Sequence, residues 1–163
     1  RLSSVDVNKS KFYDNDANDG GAIYVGGAGV TNHVYSSVFE RNNASEGKGG
    51  AINWIASAGH IIDSNFTDNF ANYGGAVYIQ ETQKDHDVIV KDTEFVGNTA
   101  RFGGGAVNVL NNMYMNFYNV NFTDNSVSYS ASSLDSYYSS YGGGAIHSQS
   151  KAVVSFEHVN FNS

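Results

Sequence analysis

The chain has 163 residues, a formal net charge of −7 and a pI near 5.0, and it contains no cysteine. The length fits one domain, the lack of cysteine excludes a disulfide-stapled fold, and the negative charge argues against nucleic acid or an anionic membrane surface as a partner. Charged residues make up only 15% of the chain, so its polar surface must come mainly from Asn, Ser, Thr and Tyr.

The first predicted strand lies around Val7, where apolar and polar residues alternate. This alternation is the period of a strand with one buried face. Phe12 and Asn15 follow, and a Gly-Gly-Ala triplet then ends at Ala22. A second short apolar strand, residues 23–25, comes directly after the triplet. The order strand, bend, Gly-Gly-Ala, strand is the unit from which the rest of the chain is built.

This unit recurs as Phe-x-x-Asn followed by Gly-Gly-Ala-(Ile/Val), with spacings of 27, 27, 29 and 27 residues between successive Phe residues. A further copy begins at Phe161. The repeated aromatic position forms a Phe column of Phe12, Phe39, Phe66, Phe95 and Phe122. The repeated amide position forms an Asn column of Asn15, Asn42, Asn69, Asn98 and Asn125. A period of this size is typical of a solenoid, in which no single repeat buries its own hydrophobic face.

Short strands joined by sharp bends, without helical periodicity, predict an all-β parallel β-helix of about five and a half coils, each of about 25–30 residues. Equivalent residues should stack about 4.8 Å apart, so the Phe column becomes a row of rings inside the coil. The Asn column should lie in a bend, where each amide bonds the backbone and the next Asn. We expect residues 1–163 to be a single β-helix segment of a longer repeat protein, because neither end resembles a solenoid cap.

The fifth coil departs from the period, because 39 residues separate Phe122 from Phe161 and an insertion loop occupies residues 126–142. Insertions in solenoids go to loops on one face, often the binding face. Tyrosine and serine are typical of adaptable recognition surfaces. We predict that the loop binds a ligand, the alternative being a loop without a binding role. Its candidate ligand-binding residues are Tyr129, Tyr137, Tyr138 and Tyr141.

A second candidate surface is the column predicted to point outward from the strand after each Gly-Gly-Ala. Aromatic and amide groups there, with Tyr24 and Tyr78 as the candidates, can stack on sugar rings. The alternative is a row of ordinary solvent-facing strand residues. The members of this outer column are Tyr24, Asn53, Tyr78, Asn108 and His147.

A possible metal site is formed by Asp6, His33 and His60, which occupy the same position in three consecutive coils. Neighbouring strands place such residues about 5 Å apart on one face, and two His and an Asp can ligate Zn²⁺ or another divalent ion. The next member of the column is Ile89, which favours the alternative of unrelated polar residues on a solvated face. We therefore expect no metal and no cofactor.

Another polar column, two residues after each Phe, contains Asp14, Arg41, Asp68 and Asp124, with Gly97 between the last two. Acids beside an Arg occur in polysaccharide lyases, in which carboxylates hold a metal and a base abstracts a proton. Such a site needs several acids that converge across one groove. A surface ion-pair ladder of Asp14, Arg41 and Asp68 is the interpretation that the intervening Arg favours.

The phrase from Phe12 to Tyr24 resembles the repeat of the adhesin-like surface proteins of methanogenic archaea. It is also similar to the repeat of the chlamydial polymorphic outer-membrane proteins, which are autotransporter passengers. The similarity covers the whole chain, and the lack of cysteine looks more like the archaeal group. The resemblance implies a right-handed parallel β-helix on a cell surface that is used for attachment. It transfers no catalytic residue.

The expected function is thus that of a non-enzymatic, extracellular adhesin segment. A rigid β-helical stalk would attach through a recognition loop to a glycan or protein on a host or neighbouring cell, with no direct insertion of this segment into a membrane. A β-helix carbohydrate-active enzyme, either a polysaccharide lyase or a hydrolase, is the alternative in another class. A passive spacer is the third possibility.

Overall fold

The computed structural model describes residues 4–80, 87–128 and 142–163, and these residues form strands and no helix. Consequently the described part of the chain offers no helix that could cross a membrane. The strands in chain order are β1 (Asp6–Asn8), β2 (Lys11–Tyr13), β3 (Ile23–Gly26), β4 (Thr31–Tyr35), β5 (Val38–Glu40), β6 (Asn43–Lys48), β7 (Ile52–Ile55), β8 (Ala58–Ile62), β9 (Asn65–Thr67), β10 (Phe70–Tyr73), β11 (Val77–Gln80), β12 (Asp87–Val96), β13 (Thr99–Gly103), β14 (Val107–Leu110), β15 (Tyr114–Thr123), β16 (Ser126–Val127), β17 (Ile146–Gln149) and β18 (Val153–Asn162).

The strands form three parallel sheets, and each strand pairs with its equivalents in the neighbouring turns. The first sheet is 9-stranded and contains β1, β2, β4, β5, β8, β9, β12, β15 and β18. The second sheet is 4-stranded, in the order β16, β13, β10, β6. The third sheet is 5-stranded, in the order β17, β14, β11, β7, β3. This arrangement confirms the predicted all-β parallel β-solenoid.

The number of complete turns is smaller than the predicted five and a half coils. Only four strands build the second sheet, so about four turns have a strand on all three sides. In the first turn the second side forms a single isolated bridge, between Asp16 and Asn43. The last turn contributes β18 to the first sheet alone. The prediction counted repeats of the sequence phrase, whereas a complete turn also needs paired strands on every side.

The Phe column forms a continuous stack of rings inside the solenoid. Ring centroids lie 4.7 Å apart for Phe12 and Phe39, 4.8 Å for Phe39 and Phe66, and 4.9 Å for Phe66 and Phe95. The stack continues through Phe122, and the four inner rings from Phe39 onward are at most 1% exposed. The centroid spacing equals the distance between hydrogen-bonded strands. The ring stack and the backbone ladder therefore share one repeat distance, and neither strains the other.

The Asn column forms a second ladder, in which each inner amide both donates and accepts. The Asn69 Oδ1 accepts hydrogen bonds from the backbone N–H and the Nδ2 of Asn42, at 3.0 and 2.9 Å. Asn69 in turn donates from its own backbone N–H and Nδ2 to the Asn98 Oδ1, at 3.1 and 2.9 Å. Its Nδ2 also donates to the carbonyl of Phe39 at 3.0 Å. Because Asn69 is buried, water does not reach the polar groups of this bend, and these bonds satisfy them instead.

Glycine is required where neighbouring coils meet at the Gly-Gly-Ala corner. Gly74 has φ +63°, a left-handed conformation in which glycine has no Cβ to clash. At Gly75 the constraint is space, because a Cβ would lie 2.1 Å from the carbonyl oxygen of Gly105 and 2.6 Å from that of Thr99. Both obstacles are backbone atoms of the next coil. The Gly pair thus fixes the backbone approach between turns at this corner.

Truncation of the central ring tests the ring stack. Phe66→Ala should lower the free energy of unfolding by about 3–5 kcal/mol, because it removes a fully buried aromatic side chain and leaves a cavity. Phe161→Ala is the matched control, since Phe161 belongs to the same column but is 53% exposed. Its loss should be clearly smaller. Urea unfolding followed by circular dichroism measures both, and equal losses would contradict a buried stack.

Removal of one rung tests the amide ladder. Asn69→Ala should cost about 1–3 kcal/mol, because the backbone N–H of Asn42 and the carbonyl of Phe39 lose their partner while buried. Asn160→Ala is the control, since its exposed side chain makes a single bond to Asn121. That change should stay within about 0.5 kcal/mol, as for an ordinary surface position. A neutral Asn69→Ala would show that the ladder adds nothing to stability.

Candidate recognition surface

The insertion leaves the solenoid at the corner between the second and third sheets. On one side of it, Val127 pairs with Ala100, and on the other side Gly142 pairs with Gly103. The two partners Ala100 and Gly103 are separated by two residues, whereas 14 residues separate Val127 from Gly142. The ladder thus resumes in register after the insertion. The predicted binding residues Tyr129, Tyr137, Tyr138 and Tyr141 lie outside the described residues, so their role stays a prediction.

The backbone on both sides of the insertion is held by hydrogen bonds to the coil below. The Ser128 N–H donates to the carbonyl of Ala100 at 2.9 Å, and the Gly142 N–H donates to the carbonyl of Phe102 at 3.2 Å. Gly142 also accepts a bond of 3.0 Å from the Gly104 N–H. These contacts anchor the two ends of the loop on the same coil.

The same corner varies in length in the other turns. Three residues lie between Ala44 and Lys48, whereas only one lies between their partners Ala71 and Tyr73. The register shift at this position is seen on both sides of β10. This corner is therefore the place where the solenoid accepts different numbers of residues without losing its ladder.

The outer column of the third sheet is mostly buried, which corrects the prediction that it faces solvent. Tyr24, at the first turn, is 59% exposed, but Tyr78 is only 1% exposed. Asn53 and Asn108 are buried as well. The Lys48 ammonium lies 4.8 Å from the centre of the Tyr78 ring, and the Tyr78 hydroxyl donates to the Gln80 Oε1 at 2.9 Å. Tyr24 is accessible for stacking on a sugar ring, and Tyr78 is not.

Burial also changes the acid–base behaviour of Tyr78. Desolvation raises the pKa of its phenol, and the nearby Tyr73 and Asp19 raise that pKa further. The neutral phenol is the form that suits a buried site, since burial disfavours the charged phenolate. Tyr78 is thus a packed structural residue beside the length-variable corner.

The upper end of the outer column adjoins the point where the insertion returns. The Asn108 Nδ2 donates to the Gly103 carbonyl at 3.3 Å and lies 3.1 Å from the His147 Nδ1. Burial lowers the pKa of His147, which favours the neutral ring that can accept this bond. Because Gly103 pairs with Gly142, the loop end, Asn108 and His147 are neighbours. The end of the insertion at Gly142 therefore adjoins Asn108 and His147 of the outer column, whereas the exposed Tyr24 lies at the opposite edge of the third sheet.

The column of Asp6, His33 and His60 is in the predicted register on the first sheet. The Nδ1 atoms of the two histidines lie 3.2 Å apart, and the Tyr35 hydroxyl lies 3.1 Å from the His33 Nδ1. Burial, together with the neighbouring His33, lowers the pKa of His60. Within residues 4–80, 87–128 and 142–163, no three His, Cys, Asp or Glu side chains are grouped closely enough to hold a metal ion.

The acidic column lies on an exposed corner and combines an ion pair with a left-handed backbone conformation. The Arg41 Nε and Nη2 donate to the two carboxylate oxygens of Asp14 at 2.8 and 3.0 Å, which lowers the pKa of Asp14. Arg41 also pairs with Glu40. All five members have φ between 53° and 64°, namely Asp14, Arg41, Asp68, Gly97 and Asp124. Asp and Gly tolerate this left-handed conformation. Their recurrence in this column is therefore a signal of a corner, which the sequence analysis missed.

The Chlamydia polymorphic membrane protein repeat family matches residues 63–80 and 119–149. The first range contains Phe66 and the triplet that ends at Ala76, and the second contains Phe122 and the triplet that ends at Ala145. Each matched range thus contains the Phe-x-x-Asn and Gly-Gly-Ala parts of one coil. No curated protein and no solved structure matches the chain. The resemblance to the archaeal surface proteins stays a prediction.

The buried state of Tyr78 has a consequence for stability at alkaline pH. Its raised pKa means that the folded chain keeps this proton where the unfolded chain loses it, above about pH 10. The stability linked to this proton is complete below that pH and declines as the pH rises toward the folded-state pKa. Tyr78→Phe should therefore show a shallower decline above about pH 10 than the parent chain.

Urea unfolding at several pH values between about 9 and 11.5 measures this decline. Tyr24→Phe is the control, because Tyr24 occupies the equivalent position in the first turn but is mostly exposed. It should keep the slope of the parent chain. Equal slopes for the parent and Tyr78→Phe would mean that Tyr78 ionises as readily in the folded state as in the unfolded state.

Proposed function

We propose that this chain is a non-enzymatic adhesin segment of a cell surface, in which a right-handed β-helical stalk presents the insertion at residues 126–142 to a glycan or protein of another cell. One observation carries the proposal. The insertion departs from and rejoins a single coil at the length-variable corner, while the ladder with the coil below resumes in register after it.

A location at the cell surface is supported by the matching repeat, because the family that carries it is described as a polymorphic membrane protein of Chlamydia. The long stacked ladders of the solenoid support a role as a stalk. Backbone bonds, stacked rings and amide bonds run along the same axis from Phe12 to Phe122. Such an array resists bending because about four turns contact their neighbours over three sheets.

Recognition by the insertion is supported by its composition and its place. Its four tyrosines supply apolar area with a hydroxyl at the tip, a combination that suits both sugar rings and protein surfaces. The insertion rejoins the coil beside Asn108 and His147, which lie on β14 and β17 at one edge of the third sheet. A ligand held by the loop would then have that edge as a second contact surface, whereas the exposed Tyr24 lies on β3 at the opposite edge.

The enzyme alternative finds less support in the described residues. Its candidate acids Asp14, Asp68 and Asp124 lie one above another on an exposed corner, and Arg41 engages Asp14 directly. A lyase needs acids and a base around one substrate position. The geometry of a stacked ladder separates the acids along the solenoid axis.

A loop-shortened variant tests the proposal. Replacing residues 129–141 by one glycine leaves two residues between Val127 and Gly142, the number found between Ala100 and Gly103 in the coil below. The melting temperature should change by only a few degrees, because the anchoring bonds of Ser128 and Gly142 are kept. Binding to whole cells and to a glycan array should be lost.

A second variant separates loop length from loop chemistry. Changing Tyr129, Tyr137, Tyr138 and Tyr141 to serine keeps the length of the loop and removes its aromatic area. This variant should also lose binding while it keeps the fold. If both variants bind as well as the parent chain, recognition does not reside in the insertion. If the parent chain itself binds no cell and no glycan, the segment is a passive spacer.

A further inference from the structure

His33 and His60 form a pair on the outer face of the first sheet, outside the surface proposed for recognition. They lie on β4 and β8, are directly paired in register and are half-buried. Their ring centroids are 5.1 Å apart with an interplanar angle of 23°, yet their Nδ1 atoms are only 3.2 Å apart. Since the nitrogens are 1.9 Å closer than the ring centres, both Nδ1 atoms point into the space between the rings.

This separation fits two ligands of one metal ion. With Zn–N bonds of 2.0–2.1 Å and a tetrahedral angle, two ligating nitrogens lie about 3.3–3.4 Å apart. For square-planar neighbours at similar bond lengths the separation is about 2.8–3.0 Å. The observed 3.2 Å lies between these values. No movement of either strand is needed for both imidazoles to reach one ion.

Two fixed imidazoles leave open positions on the ion. The Tyr35 hydroxyl lies 3.1 Å from the His33 Nδ1, where it can hydrogen-bond a metal-bound water or approach the ion itself. Asp6 is paired with His33 one rung away, but it does not form a three-residue group with the histidines within the described part of the chain. Imidazole nitrogen favours Zn²⁺, Cu²⁺ and Ni²⁺ over the hard cations Mg²⁺ and Ca²⁺.

We propose that His33 and His60 bind one late first-row divalent ion, Zn²⁺ or Cu²⁺, through their Nδ1 atoms. In the absence of the ion, one ring donates its Nδ1–H to the Nδ1 of the other, which accounts for the same short separation. Binding moves that proton to the Nε2 of the donor ring, so that both Nδ1 lone pairs face the ion and no proton is lost overall. The rigid pairing of β4 with β8 preorganises the site.

Calorimetric titration of the 163-residue chain with Zn²⁺ and Cu²⁺, separately, tests the proposal. We expect one ion per chain, tighter binding of Cu²⁺ than of Zn²⁺ as in the general affinity order, and a rise in melting temperature with the ion present. His33→Ala and His60→Ala should each abolish the single-site isotherm while far-ultraviolet circular dichroism shows that the variants fold.

His158→Ala is the matched control, because the His158 side chain is 82% exposed and lies on β18, far along the first sheet. It should bind the ion as the parent chain does, and Mg²⁺ should give no isotherm. The absence of Zn²⁺ and Cu²⁺ binding would overturn the proposal. A hydrogen bond alone would then explain the short separation of the two Nδ1 atoms. An equal loss with His158→Ala would also overturn it, since binding would then be adventitious.

Discussion

In-register stacking of parallel coils is the constraint on which the rest of this structure depends. Each residue lies beside its equivalent in the next turn at about the interstrand distance, so a column works only if a residue type is compatible with copies of itself. Phenylalanine meets this condition through rings whose planes differ by only 2° between Phe39 and Phe66. Asparagine meets it because one amide both donates and accepts, as Asn69 does toward Asn98 and Asn42. The two columns are therefore a consequence of the pairing, and they also fix its register.

The same constraint decides where the chain can vary. At Gly75 a side chain is excluded by the backbone of the next coil, so a change of residue or length there would separate two turns. The residues directly before the Gly-Gly-Ala triplet, at the end of the second-sheet strand, vary in number, since the register already shifts between Ala71 and Tyr73. The insertion in the fifth coil thus lies at a position where the shorter coils also differ in length. It lengthens this position and does not interrupt a regular strand.

Much of this fold could be predicted from the sequence, because the repeat period and the apolar–polar alternation result directly from the stacking of coils. The Phe and Asn columns and the alignment of His33 with His60 follow once equivalent positions are placed side by side. The burial of Tyr78 could not be predicted in this way. Alternation tells which face of a strand a side chain occupies, whereas burial on the outer face depends on neighbours such as Lys48 from the variable corner. The direction of the two Nδ1 atoms depends on side-chain rotamers, about which a repeat pattern carries no information.

The two functional proposals concern different sides of the solenoid, and this separation has a physical origin. A stack of near-identical coils offers repeated surfaces, so specific chemistry must come from positions at which one turn differs from the next. The insertion is one such position, and it interrupts a single coil at one corner. The histidine pair is another, because the column changes from His60 to Ile89 at the next turn of the first sheet. Since the pair is held by β4 and β8 and the loop by residues beside β13 and β16, a change at one leaves the contacts of the other intact. A segment with metal binding but no cell binding, or the reverse, is thus compatible with the same fold.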